Sequence, residues 1–250
     1  MKYIESMQNT RVKQWKKLLG KKERDKSRKF LVEGFHLVEE ALKNGLVEDI
    51  ILKEGTDLSV KWDVELADLF TVHNEVFAAL ADTDTPQGII AVCHKPRFEL
   101  EEGSLETVLL IDRVQDPGNI GTMIRTADAA GFSAVILGDG CADPYSPKVV
   151  RSTQGSLFHL PILKGNLGDW TERLQAGGVK VYGTALQGAK PYREIERADR
   201  FALLVGNEGS GVSPELLQKT DQNVYIPIYG KSESLNVAVA AGILMYGLKN

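Results

Sequence analysis

Histidine and cysteine are scarce in this chain, and long apolar runs are missing. Its 250 residues hold four histidines and two cysteines, too few for a repeated metal-binding or disulfide pattern. Cys93 and Cys141 lie far apart in no metal or redox spacing, which reads as two free, buried thiols in a reducing compartment. His36, His73, His94 and His159 do not cluster, so no metal site and no Ser/His/Asp triad is spelled out. No apolar run reaches the roughly 20 residues that span a bilayer. The opening Met1-Lys2-Tyr3-Ile4-Glu5 has no apolar stretch of the kind a secretory signal carries. A cytoplasmic protein without membrane contact is the expectation. The length suits one large domain or two ordinary ones.

The charge is unevenly spread. The chain as a whole carries −4, yet Arg11 to Lys29 holds ten basic residues against Glu23 and Asp25, a local +8 that leaves −12 elsewhere. A basic segment on an acidic protein gives an oriented field that steers a polyanion. Arg11, Lys13, Lys16, Lys17, Lys21 and Lys22 are the candidate phosphate contacts.

The first hundred residues alternate helix and strand signals. Thr10 is placed to cap a helix whose apolar residues Val12, Trp15, Leu18 and Leu19 recur at helical spacing and end at Gly20. Phe30-Leu31-Val32 reads as a strand, Phe35 to Lys43 as a helix with Gly45 after its end, and Val47 to Leu52 as a strand. Asn74 is expected to cap a third helix, Glu75 to Ala81, before the strand Gly88 to Val92. The sum is a small α/β sandwich over residues 1–100. Lys95 to Ser104 has Pro96, Gly103 and no periodicity, and reads as a linker.

Residues 101–250 alternate again. Strands are expected at Val108 to Arg113, Ala134 to Leu137, Leu157 to Ile162, Val179 to Gly183, Phe201 to Val205 and Val224 to Ile228, with a helix after most of them. Continuous apolar runs such as Val108-Leu109-Leu110-Ile111 mark strands covered on both faces. The fold class is therefore α/β, with a doubly wound, mostly parallel sheet in the C-terminal part.

Three segments stand where such a sheet places its ligand loops, beyond the carboxyl ends of strands. The first is Asp116-Pro117-Gly118-Asn119-Ile120-Gly121, with Arg125 later on the helix it opens. The second is Val205 to Gly211, containing Gly206 and Glu208. The third runs from Ile226-Pro227-Ile228 to Ser234-Leu235-Asn236-Val237. The glycine spacing of the second is neither a dinucleotide fingerprint nor a P-loop. In the third, Ser234 is a natural N-cap, and an asparagine at 236 within a first helical turn is a poor helix former with little structural reason to be there.

In this order and spacing the three segments resemble the motifs of the SpoU/TrmH group of RNA ribose 2′-O-methyltransferases. The first hundred residues resemble, more loosely, the ribosomal-L30e-like substrate-binding domain that many members carry, through Phe30-Leu31-Val32-Glu33-Gly34 and Thr85-Pro86-Gln87-Gly88. The resemblance implies a C-terminal trefoil knot, S-adenosylmethionine held near Leu186, Gly206, Ile226 and Leu235, and no metal. Asn119, Arg125, Glu208, Ser234 and Asn236 would form the catalytic group. The matching arginine in the family meets RNA phosphate and is proposed to help remove the ribose proton, a demanding task for a side chain that is normally protonated. A homodimer would complete the surroundings of Arg125. Lys231 and Glu233 depart from the small residues common in the third motif, which bears on substrate detail rather than on the cofactor site. The implied substrate is 23S ribosomal RNA. A tRNA substrate, a non-catalytic RNA-binding assembly factor and a dinucleotide-dependent oxidoreductase are the alternatives, the last disfavoured by the missing fingerprint.

Overall fold

The computed structural model describes residues 2–58, 62–99 and 103–249. The expected linker at Lys95 to Ser104 therefore lies partly outside the described residues. The chain divides into two compact units, Met1–Arg97 with Asp143–Phe158, and Phe98–Ala142 with His159–Asn250.

The first unit opens with β1 (Lys2–Ile4), α1 (Thr10–Lys17), α2 (Lys21–Ser27), β2 (Lys29–Glu33) and α3 (Phe35–Lys43). It continues with β3 (Val47–Lys53), β4 (Asp68–Val72), α4 (Asn74–Ala78) and β5 (Ile89–His94). Its mixed sheet has the order β1-β4-β3-β5-β2. Alternation decides the packing. Leu31, Ile51, Phe70, Ile90 and Val92 share one cluster with Val12, Trp15 and Leu18 of the α1 region and Val76 and Phe77 of α4. The Trp15 indole is buried, and its N–H donates to the buried Asp49 carboxylate at 2.7 Å, which satisfies a polar group the core would otherwise strand.

Two caps fall one residue earlier than the sequence suggests. Asn9, not Thr10, accepts from the Arg11 amide, and His73, not Asn74, accepts from the Glu75 amide. Neighbouring residues that can both cap leave the choice to tertiary context. Strands β1 and β4 have no counterpart in the sequence reading, and they pair in parallel with each other.

The second unit begins with β6 (Thr107–Asp112), α5 (Pro117–Ala129) and β7 (Ala134–Leu137). The chain then enters α6 (Pro147–Thr153) and a 3₁₀ turn at Ser156–Phe158, both of which belong to the first unit. There Phe158 and Tyr145 pack their rings on Phe30 of β2 with centroids 6.3 and 5.0 Å away. The buried Arg24 donates to Asp143 at 2.8 Å and to the Leu18 and Leu19 carbonyls. Of the expected strand Leu157 to Ile162, only Ile162 is in a strand, as its first residue. The first apolar residues of that run fill the core of the first unit, and Pro161 removes a ladder donor.

The chain returns as β8 (Ile162–Lys164), α7 (Leu167–Ala176), β9 (Lys180–Thr184), β10 (Lys190–Pro191) and β11 (Phe201–Gly206). It closes with α8 (Pro214–Leu217), β12 (Gln222–Tyr225) and α9 (Val237–Leu248). The seven-stranded sheet has the order β10-β12-β9-β11-β6-β7-β8, and every pair is parallel. Both β6 and β11 are buried along their whole length. Leu167 and Leu174 of α7 cover one face, while α5 and α9 pack on each other, α9 against β11 and α5 against β7. Among the described residues no helix is long and apolar enough to cross a membrane.

Candidate active site

The three motif segments meet beyond the carboxyl ends of β6, β11 and β12. Asp116 caps α5 by accepting from the Asn119 amide at 2.8 Å, with Pro117 in the first turn, where its missing N–H costs nothing. That frees the Asn119 side chain. Its amide N–H donates to Glu208 Oε1 at 3.0 Å, and its carbonyl oxygen accepts from Asn236 Nδ2, also at 3.0 Å. One residue of each segment thereby enters a single chain of hydrogen bonds.

Asn236 has a structural role as well, and it is the cap that the sequence assigns to Ser234. Its Oδ1 accepts from the Ala238 and Val239 amides at 2.9 and 3.3 Å. Asparagine at this position is therefore a strong N-cap, not an amide misplaced inside a turn. Using Oδ1 for capping leaves Nδ2 to reach Asn119.

The glycine-rich turn after β11 is shaped by Asn207, which the sequence reading passed over. Its Oδ1 accepts from the Gly209 and Ser210 amides at 2.9 and 3.1 Å, and its Nδ2 donates to the Arg113 carbonyl at 2.9 Å. The signal was there, since asparagine among glycines commonly closes such a turn with its own side chain. Gly206 needs its missing side chain, because a Cβ there would collide with the backbone of Gly211 and Val212. Arg113 adopts a left-handed φ of 54° and pairs with the buried Asp112, whose Oδ2 also takes the Ser213 amide at 2.9 Å.

A cleft of about 530 Å³ opens between the second and third segments. Leu186, Ile226, Leu235, Glu208 and Ser234 line it, together with Glu233. Gly206 is not in its wall, whereas Gly209 and Gly211 of the same turn are. Leu186 is 77% exposed and Leu235 37%, apolar side chains left uncovered at one concavity. Volume, apolar wall and glycine backbone fit a nucleoside-sized ligand. The sequence tied the departure at Glu233 to substrate detail and not to the cofactor site; the structure puts Glu233 in the cleft wall.

Arg125 stands apart from both cleft and network. It is exposed on α5 in a stripe with Thr122 and Ala129, and makes no hydrogen bond or ion pair with the described residues. In the first unit, Lys13, Lys16, Lys17 and Lys22 are exposed and likewise unpaired among the described residues. Lys21 pairs with Asp25 at 2.6 Å, and Arg11 with Asp49 and Asp68. Among the described residues no group of histidine, cysteine, aspartate or glutamate is set to hold a metal.

Comparison with known proteins places this geometry. Residues 106–246 match the SpoU rRNA Methylase family, and residues 9–91 match the MRM3-like substrate binding domain. The chain is 55% identical, over the full length of both, to the 23S rRNA (guanosine(2553)-2′-O)-methyltransferase RlmP of Bacillus subtilis. An AdoMet-bound rRNA methyltransferase from Sinorhizobium meliloti superposes with a TM-score of 0.86 at 33% identity, covering 99% of this chain and 97% of that one. The SpoU methyltransferase AviRb from Streptomyces viridochromogenes, in complex with AdoMet, gives 0.85 at 32%, covering 96% and 97%.

Proposed function

The chain belongs to the SpoU rRNA Methylase family, and from that premise we propose that it transfers a methyl group from S-adenosylmethionine to a ribose 2′-hydroxyl of 23S ribosomal RNA. The observation that carries this reading is the Glu208–Asn119–Asn236 chain at the mouth of the cleft. S-Adenosylmethionine supplies an electrophilic methyl carbon on a sulfonium. Leu186, Ile226 and Leu235 would hold its apolar parts, and the turn built on Gly206 and Asn207 would offer backbone groups.

The remaining chemistry belongs to the protein. A ribose hydroxyl is a poor nucleophile until its proton leaves, so attack and proton removal must be aligned. When bound, the donor would supply the methyl carbon to the ribose oxygen and keep the departing bond pair on its sulfur, and the hydroxyl proton would need an acceptor from the protein. Glu208, held by the amides of Asn119 and Asn207, is the carboxylate the network offers. Ser234 in the cleft wall is a polar group for orientation. Arg125, always charged, is assigned to RNA phosphate.

A homodimer would bear on that assignment. Val239, Ile243 and Tyr246 follow one another at helical spacing on the open face of α9, whose other face is buried. A helix apolar on both faces calls for cover on both. A second copy there would also bring residues toward α5, on which Arg125 lies. The knot implied by the family belongs to the same reading: the segments after β11 and β12 wall one cleft before α9 returns against β11. The four unpaired lysines of α1 and α2 give the N-terminal unit, within residues 1–100, an RNA-facing surface. With a ribosomal substrate, the enzyme would work in the cytoplasm.

The test is to map ribose methylation in RNA from cells with and without this protein. One 23S ribosomal RNA ribose should lose its methyl group. A change confined to tRNA would move the substrate, and no change anywhere would refute methyl transfer.

A further inference from the structure

The cleft has two carboxylates and no cation. Glu208 and Glu233 line it, and none of its lining residues is Lys, Arg or His. The two acids differ in their commitments. Glu208 accepts from Asn119 at 3.0 Å and from Asn207 at 3.4 Å. Glu233 makes no hydrogen bond or ion pair with the described residues. Its neighbour Lys231 is exposed and does not line the cleft.

An uncommitted carboxylate in a largely apolar wall lined by no Lys, Arg or His raises the local preference for positive charge. The methyl donor and its product share the adenosine and the zwitterionic amino acid. They differ by one methyl group and one positive charge, which leave together. Leu186, Ile226 and Leu235 meet the parts that are shared and have little with which to tell the two apart. We infer that Glu233 is a specificity-determining residue that makes the cleft prefer the charged donor over its neutral product. The inference rests on the S-adenosylmethionine reading above. Its consequence is that the cleft loosens its grip once the methyl group has gone, which limits inhibition by product.

The experiment is calorimetric titration of the full chain and of Glu233→Gln with S-adenosylmethionine, S-adenosylhomocysteine and sinefungin. Sinefungin carries an ammonium group in place of the methylated sulfur, so it keeps the charge without a transferable methyl. Glu233→Gln should weaken the two cationic ligands about three- to tenfold and leave S-adenosylhomocysteine unchanged. In the parent protein the gap between donor and product should narrow as salt rises, since Glu233 is exposed. Equal weakening of all three would mean that Glu233 holds the ammonium they share and would overturn the inference. So would three unchanged affinities. Failure of the parent protein to bind any of the three would sink the methyl-donor reading itself, a result distinct from either.

Discussion

Asn119 divides its amide between Glu208 and Asn236, donating to the first and accepting from the second, both at 3.0 Å. No other asparagine orientation serves both partners, because a carboxylate accepts and an Nδ2 donates. Asn119→Asp replaces the donor with a second carboxylate beside Glu208. Methyl transfer should fall about a hundredfold or more, the scale seen when one preorganised donor is removed. Affinity for S-adenosylmethionine should stay within a few-fold, as Asn119 does not line the cleft. Parental turnover in tritiated methyl transfer would show that the hydrogen bond is structural only.

Asn236 serves a helix and a site at once, and two substitutions separate the duties. Asn236→Ala loses the cap and should cost about 1 kcal/mol, read as a lower melting temperature. Asn236→Ser keeps a capping oxygen but lacks the Nδ2 that reaches Asn119. It should melt with the parent and still transfer methyl groups slowly. If it proves fully active, the hydrogen bond to Asn119 contributes nothing to turnover.

Arg125→Ala should abolish methyl transfer while cofactor affinity remains within a few-fold, since the side chain is exposed and outside the cleft. The melting temperature should not move, because no described residue depends on the guanidinium for a hydrogen bond or an ion pair. Activity near the parental rate in the same transfer assay would return Arg125 to the role of a surface arginine.

Replacing Lys13, Lys16, Lys17 and Lys22 by Gln should weaken RNA binding across sequences without touching the cofactor. The magnitude of the slope of log affinity against log salt should fall by roughly 0.7 for each single-strand phosphate that is no longer neutralised. Arg11 and Lys21 are left out because carboxylates already hold them. An unchanged slope in filter binding would mean that RNA is gripped elsewhere.

Tyr145 gives the first unit a signature in alkali. Burial pushes its phenol up to about 12, Asp143 adding to the rise and Arg28 opposing it. The unfolded chain ionises near pH 10. Stability from this group is therefore complete below pH 10 and is lost as pH rises toward 12, where only the unfolded state has released its proton. Denaturant titrations should show that decline in the parent and a smaller one in Tyr145→Phe, where Tyr182, also raised by burial, still titrates. A decline of the same size in both would place the titrating group elsewhere.

Much of this was readable from residue order. Val108 to Ile111 and Ala202 to Val205 announce buried parallel strands because sheets covered on both faces need unbroken apolar runs. The helix Phe35–Lys43 was found at its ends because Gly34 and Gly45 sit where φ is positive. Strands β1 and β4 escaped since short runs with polar flanks carry no clear period. Leu157 to Ile162 misled because an apolar run does not say whether a sheet or a neighbouring core will take it. The site was legible as three segments but not as a network. Asn119 lies 89 residues from Glu208 and 117 from Asn236, and no local pattern reports a hydrogen bond closed by the fold.

The detour of Asp143–Phe158 into the first unit changes what modularity means here. The chain passes between the units after Arg97, after Ala142 and after Phe158, so they are stitched, not strung. Cutting near residue 100 would leave the N-terminal piece without Val149, Val150, Leu157 and Phe158, all buried. The substrate-binding unit is consequently not a cassette that recombination can exchange at one junction. A new RNA partner reached that way would have to bring a matching α6 embedded in the methyltransferase sequence, so the two halves are bound to change together.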